Sequence, residues 1–290
     1  MINSKRLEHY KKLMRLDKPI GIMLLLWPTL WGLWLAAQGM PDLIILSIFI
    51  LGTILMRSAG CVINDYADRH IDLHVNRTKY RPITTGVVSP KEALSLCAGL
   101  SFCAFLLVLN LNFLTITLSF CALFLATSYP YTKRFFSMPQ AYLGIAFSFG
   151  IPMAFAAQTN DIPLIAWLLV IANLLWVIAY DTEYAMVDKA DDLKIGIKTS
   201  AITFGRFDVA GVILCHIIFI TLMFYIGQIQ NLGVAYYLSL VSALGLIIYQ
   251  YHLIHNRDPN NCFKAFLHNN WVGAIIFFGI ALDYFIKLTS

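Results

Sequence analysis

The sequence predicts an all-α, polytopic membrane protein with nine transmembrane helices, and three observations carry that prediction. Hydrophobic residues fill 59% of the 290 positions and charged residues only 13%, against about a quarter charged in soluble domains. Mean hydropathy is +0.71. Nine continuously apolar stretches, each about 17 to 20 residues, are long enough to cross a bilayer as helices. Their lack of period-two alternation excludes a transmembrane barrel.

In chain order the stretches begin near Ile20, Leu43, Ala93, Phe113, Ala141, Pro163, Val209, Leu232 and Val272. The first is full length and lacks a small-residue cleavage motif, so it reads as a span and not a signal peptide. Basic residues then fix the sidedness. The amino-terminal tail carries Lys5, Arg6, Lys11, Lys12, Arg15 and Lys18, and the loop after the second span carries Arg69, Arg77, Lys79, Arg81 and Lys91. Lys133 and Arg134 follow the fourth span, Lys189, Lys194, Lys198 and Arg206 the sixth, and Arg257 and Lys264 the eighth. The intervening loops, residues 38–42, 110–112, 158–161 and 228–231, contain no Lys or Arg. By the positive-inside rule the amino terminus and the charged loops are cytoplasmic, and nine crossings put the carboxyl terminus outside. Only Arg57 and Lys287 break the pattern.

The net charge of +5 follows from this sidedness and from anionic membrane lipid, and does not argue for a nucleic-acid partner. Six cysteines are scattered through apolar runs without metal-ligand spacing, so they read as small packing residues with no disulfide. No linker divides the chain, which reads as one integral domain over residues 1–290. Two long polar segments lie within it, at about residues 63–89 and 181–207.

Those segments hold half of the sixteen carboxylates, in NDYADRHID (Asn64 to Asp72) and DTEYAMVDKADD (Asp181 to Asp192). Clustered carboxylates repel one another and need a metal or basic partner to stay ionised beside a membrane. If the second helix runs on past Val62, Asn64, Asp65, Asp68 and Asp72 share one face; on the sixth, Asp181, Asp188 and Asp192 align, Glu183 points away and Asp191 lies to one side. Two such faces form a set of hard oxygen donors that suits Mg2+ with a phosphate-bearing substrate, and not zinc or copper. Arg77, Lys79, Arg81, Lys133, Arg134, Lys194 and Lys198 can then take the remaining phosphate oxygens. A diphosphate head on a lipid tail fits this end of an apolar bundle. Trp27, Trp31 and Trp34 are read as pocket lining or as packing.

The residues also resemble a known family. NDYADRHID matches the NDxxDxxxD signature of the UbiA superfamily of intramembrane aromatic prenyltransferases, and Asp188 with Asp192 supplies its second DxxxD. RLDKPIG with LLLWPTLW, RTKYRPITTG, YPYTKR with PQAYLG, and GIKTSAITFG look like the branch that prenylates 4-hydroxybenzoate. The resemblance implies nine helices around a central cavity with cytoplasmic cap loops, in a bacterial inner membrane with a periplasmic carboxyl terminus. It implies transfer of a polyprenyl group from an all-trans polyprenyl diphosphate to carbon 3 of 4-hydroxybenzoate, a step of ubiquinone biosynthesis. On that reading Asn64, Asp65, Asp68, Asp72, Asp188 and Asp192 hold magnesium, and Arg77, Arg81, Lys133, Arg134, Lys194 and Lys198 hold diphosphate. Asp181, Asp191 or the released diphosphate takes the ring proton, while Arg15 or Lys18 pairs with the benzoate carboxylate. The alternatives are a relative with another acceptor, such as a naphthoate or haem, and, from a different class, an ion-coupled transporter. Acids gathered at helix ends on one membrane face, instead of at the midplane, disfavour the transporter.

Overall fold

In a computed structural model, which describes residues 4–75 and 77–289, the described residues form only helices and their connections. A short helix absent from the apolar pattern, α1 (Ser4–Leu13), precedes α2 (Ile20–Ala37), α3 (Leu43–Asp68), α4 (Pro90–Val108) and α5 (Phe113–Thr132). Then come α6 (Pro139–Ser148), α7 (Gly150–Thr159), α8 (Leu164–Ile195), α9 (Ser200–Phe204), α10 (Asp208–Ile229), α11 (Val234–Ile254) and α12 (Pro259–Thr289). Nine segments among the described residues are long and apolar enough to span a membrane, with α6 and α7 together forming the fifth and α9 with α10 lying in the seventh.

Local chemistry sets the ends. Asp42 caps α3 by accepting from the Ile44 and Ile45 amides, and Ser89 with Glu92 forms a capping box on α4, with Pro90 in the first turn. Asn112 caps α5. Gly196, at φ +72°, takes the left-handed conformation that closes α8. The fifth span breaks after Ser148 because Pro152 has no amide to donate and its ring crowds the carbonyl one turn back. The ninth begins at Pro259, earlier than the apolar run near Val272 suggests, and extends over 31 residues.

The core lies where α2, α8, α10 and α12 meet. Trp31 and Trp176 are fully buried with ring centroids 5.3 Å apart, and both pack on Phe219. One chain of buried polar groups bonds internally here: Trp176 Nε1 donates to Asn269 Oδ1 (2.9 Å), and Asn269 Nδ2 donates to Glu183 Oε2 (2.8 Å). Glu183 thus faces away from the other acids and into the helix packing. A smaller core joins α1, α3 and α4 through Leu13, Ala59, Val62 and Ala93, fastened by a double hydrogen bond from Arg6 to Glu92.

Candidate active site

One cavity of about 1460 Å³ runs beneath the basic ends of the helices, lined by α2, α3, α4, α5, α6, α7, α8 and α12. Both acidic motifs open onto it. Asn64, Asp65 and Asp68 lie on the last turns of α3, as the helical spacing predicts. The helix does not continue to Asp72, however. It stops at Asp68, and Asp72 begins a single 3-10 turn (Asp72–His74) that folds back, held by Thr78 Oγ1 donating to the Asp72 carbonyl at 3.1 Å. Asp181, Asp188 and Asp192 project from one face of α8 into the same space, whereas Asp191 points outward to Lys194.

Basic side chains lock the motifs together. Arg77 reaches from the loop after α3 to Asp188 on α8, with Nε 3.0 Å from Oδ2, and stacks over the Tyr184 ring at 4.5 Å. Arg81 bridges Asp65 and Asp72, at 2.9 Å from each. Lys133 Nζ donates to Asp68 (2.9 Å) and Asn64 (3.2 Å). Arg15, in a left-handed backbone conformation at φ +57°, donates to both oxygens of Asp65. Lys18 lines the mouth of the cavity.

Three of the expected phosphate ligands do other work. Arg134 donates to the Ala67 carbonyl near the end of α3, where orphan carbonyls favour a cation; Lys198 donates to the Phe135 carbonyl; Lys194 pairs with Asp191. None of the three lines the cavity. Nor do Trp27, Trp31 and Trp34, which pack against α12 and the core.

Burial drives the Asp72 carboxyl above the usual carboxylate range, with Asp65 and Asp68 adding to the rise and Arg81 opposing it. Burial opposes the Lys133 ammonium, but Asp68 and Tyr129 outweigh it, so Lys133 is raised and stays charged. Arg77 and Arg81 are raised in the same way, burial being outweighed by their acidic and tyrosine neighbours.

Among the described residues no three of His, Cys, Asp or Glu converge closely enough to hold one ion. The expected acid cage is therefore replaced by ion pairs, because opposed carboxylates approach only with positive charge between them. The donor set still fits magnesium. That ion takes one or two carboxylates, keeps several waters and completes its shell with phosphate oxygens, and Asn64, Asp68, Asp72, Asp188 and Asp192 all offer hard oxygens to one space. Asp192 is buried and forms no ion pair among the described residues.

The site also holds Arg57, which the sequence reading set aside as an exception to the charge pattern. It projects from α3 into the cavity, its Nε has no hydrogen-bond partner, and its guanidinium lies 5.4 Å from the Phe147 ring centre. Gly21 makes room for it, since a Cβ there would stand 2.6 Å from Nε. An arginine inside a membrane span is itself a functional signal, and it was visible in the sequence. Tyr129, Tyr180 and Tyr184, unassigned from the sequence, line the same region.

The sequence profile of the UbiA prenyltransferase family matches residues 25–277. A 4-hydroxybenzoate octaprenyltransferase of Nitrosospira multiformis is 72% identical over 100% of both chains, and one of Nitrosomonas europaea is 69% identical over 98% of this chain and 97% of its own. Among solved structures, an apo UbiA homolog from Aeropyrum pernix aligns with a TM-score of 0.81 at 26% identity, covering 90% of this chain and 97% of that one. A UbiA homolog from Archaeoglobus fulgidus bound to GPP and Mg2+ shares the fold, with a TM-score of 0.70 at 17% identity over 97% of this chain and 100% of the other. Nine apolar spans, two facing acidic motifs on one cavity and these matches along nearly the whole chain have one common account: the protein is an integral membrane member of the UbiA prenyltransferase family.

Proposed function

We propose that the chain transfers a polyprenyl group from a polyprenyl diphosphate to carbon 3 of 4-hydroxybenzoate, with magnesium, at the cytoplasmic face of a bacterial inner membrane, as a step of ubiquinone synthesis. The carrying observation is the single cavity whose mouth collects both acidic motifs with Arg77, Arg81 and Lys133 and whose depth is apolar. The full-length likeness to 4-hydroxybenzoate octaprenyltransferases supports the acceptor and the length of the donor. Family membership sets aside the ion-coupled transporter.

Asn64, Asp68, Asp72, Asp188 and Asp192 are the residues that would hold magnesium, which neutralises diphosphate charge when bound. Arg77, Arg81 and Lys133 exchange their carboxylate partners for phosphate oxygens and stabilise the leaving group. The allylic carbon–oxygen bond breaks with its electron pair leaving on diphosphate. The ring carbon beside the phenol hydroxyl then bonds to the allylic carbon, and Asp181 accepts the displaced ring proton. Asp191, directed out of the cavity, is not suited to that role. Tyr129, Tyr180 and Phe147 present aromatic faces to the developing cation and keep water away.

We assign the acceptor carboxylate to Arg57, since Arg15 is held by Asp65 at the mouth while the Arg57 Nε lacks a partner inside. The test is to incubate purified protein with magnesium, octaprenyl diphosphate and 4-hydroxybenzoate and to look for the prenylated acid. Absence of product from folded protein overturns the reading. Arg57→Gln is expected to raise KM for 4-hydroxybenzoate by about tenfold or more while leaving the KM for donor, the scale of one lost charge-assisted contact.

A further inference from the structure

Residues 14–19, between α1 and α2, form a short strap at the cavity mouth, where Lys12, Arg15, Asp17, Lys18 and Pro19 line the space. Turn hydrogen bonds shape it: the Leu16 amide donates to the Lys11 carbonyl at 3.0 Å and the Lys18 amide to the Arg15 carbonyl at 3.1 Å. Arg15 takes a left-handed backbone at φ +57°, which is unfavourable for a residue with a Cβ. Its guanidinium is pinned on both sides. Nη1 donates to the Lys12 carbonyl at 2.8 Å, and Nη2 donates to the two Asp65 oxygens at 3.0 and 2.9 Å.

Asp65 differs from the other acids of its motif in being held by two arginines. Its side chain is only 2% exposed, and it meets Arg15 from the strap and Arg81 from the loop after α3. Arg81 is divided between Asp65 and Asp72, at 2.9 Å from each. When phosphate oxygens take Arg81, Asp65 loses one of its two cations. A buried carboxylate left with none is strongly destabilised, so without Arg15 the departure of Arg81 would be opposed. With Arg15 in place Asp65 stays paired.

Resting on the proposed prenyl transfer, we infer that Arg15 is a positioning residue, which by holding Asp65 releases Arg81 to the diphosphate of the donor. Asp65 then acts through these two arginines and is not a metal ligand. The strap thus reaches the diphosphate site from the amino-terminal side, without itself touching the donor. Removing Arg15 leaves Arg81 as the sole cation of Asp65, and donor binding must break that pair. Neutralising Asp65 removes the restraint.

The experiment measures the dissociation constant for geranyl S-thiolodiphosphate, an unreactive donor, with magnesium, in detergent-purified wild type, Arg15→Gln, Asp65→Asn and the double variant. Lys18→Gln, alone and with Asp65→Asn, is the comparison, because Lys18 lines the same mouth and forms no ion pair with Asp65. Arg15→Gln is expected to weaken binding about tenfold or more, the scale of one charge-assisted hydrogen bond. Asp65→Asn alone is expected to bind at least as tightly as wild type. Its gain is expected to be about tenfold or more beside Arg15→Gln, and no larger beside Lys18→Gln than in wild type, since only coupled sites depart from additivity. Unchanged binding by Arg15→Gln, equal gains in the two backgrounds, or weaker binding by Asp65→Asn alone, as a lost metal ligand would give, overturns the role of Arg15 while prenyl transfer stands. Wild type that fails to bind the analogue overturns the proposed function and this inference with it.

Discussion

On one side of the cavity α2, α8 and α12 bury 50%, 44% and 50% of their spanning windows inside the protein, whereas α4 and α5 on the other side bury 17% and 11%. The first side is a frame of interlocked rings tied by hydrogen bonds from Trp176 to Asn269 and from Asn269 to Glu183, with Trp31 beside them. The second is a thin wall whose side chains meet lipid on one face and the cavity on the other. Lipid gives no hydrophobic drive to pack helices, so association rests on shape and hydrogen bonding. A wall that supplies little of either is free to border a large apolar substrate. The charged mouth spans the two, because the first motif ends α3 and the second ends α8.

Substitutions can break that division, and the largest effect is expected where the sides are joined. Asp188→Ala removes the α8 carboxylate that Arg77 grips and should lower kcat by about a thousandfold, the upper range for loss of one preorganised electrostatic contact, with thermal stability in detergent little changed. Wild-type turnover in that variant would remove the second motif from the chemistry. Trp176→Ala should destabilise the packed frame by about 3 kcal/mol, the low end for such truncations because lipid does not expel apolar surface as water does; detergent melting measures it. Asn269→Ala strips partners from Glu183 and Trp176 and should cost about 2 kcal/mol by the same measurement. Phe102→Ala, in the thin wall, should stay within about 0.5 kcal/mol of wild type. A loss there as large as that of Trp176→Ala would show that the two sides are not mechanically distinct.

The acidic face of α8 was legible from its spacing alone, because a regular helix carries Asp181, Asp188 and Asp192 onto one line and turns Glu183 and Asp191 off it. The first motif was legible only through Asp68. Its last acid depends on a chain reversal stabilised by Thr78 and Arg81, which no periodicity encodes. The basic residues were harder still. Arg77, Arg81, Lys133, Arg134, Lys194 and Lys198 are equivalent as charges near helix ends, and only the fold shows that the first three enter the cavity while the others cap carbonyls or pair locally.

By itself the sequence determined nine spans, the gathering of both acidic motifs at one end and the kind of substrate they suit, since hydropathy, charge sidedness and helical spacing are local properties of the chain. Tertiary structure alone decided which cation meets which carboxylate, and that Arg57 faces the cavity without a partner for its Nε. Those facts depend on how separate helices are set against one another, and packing in three dimensions is not written in the period of any one of them.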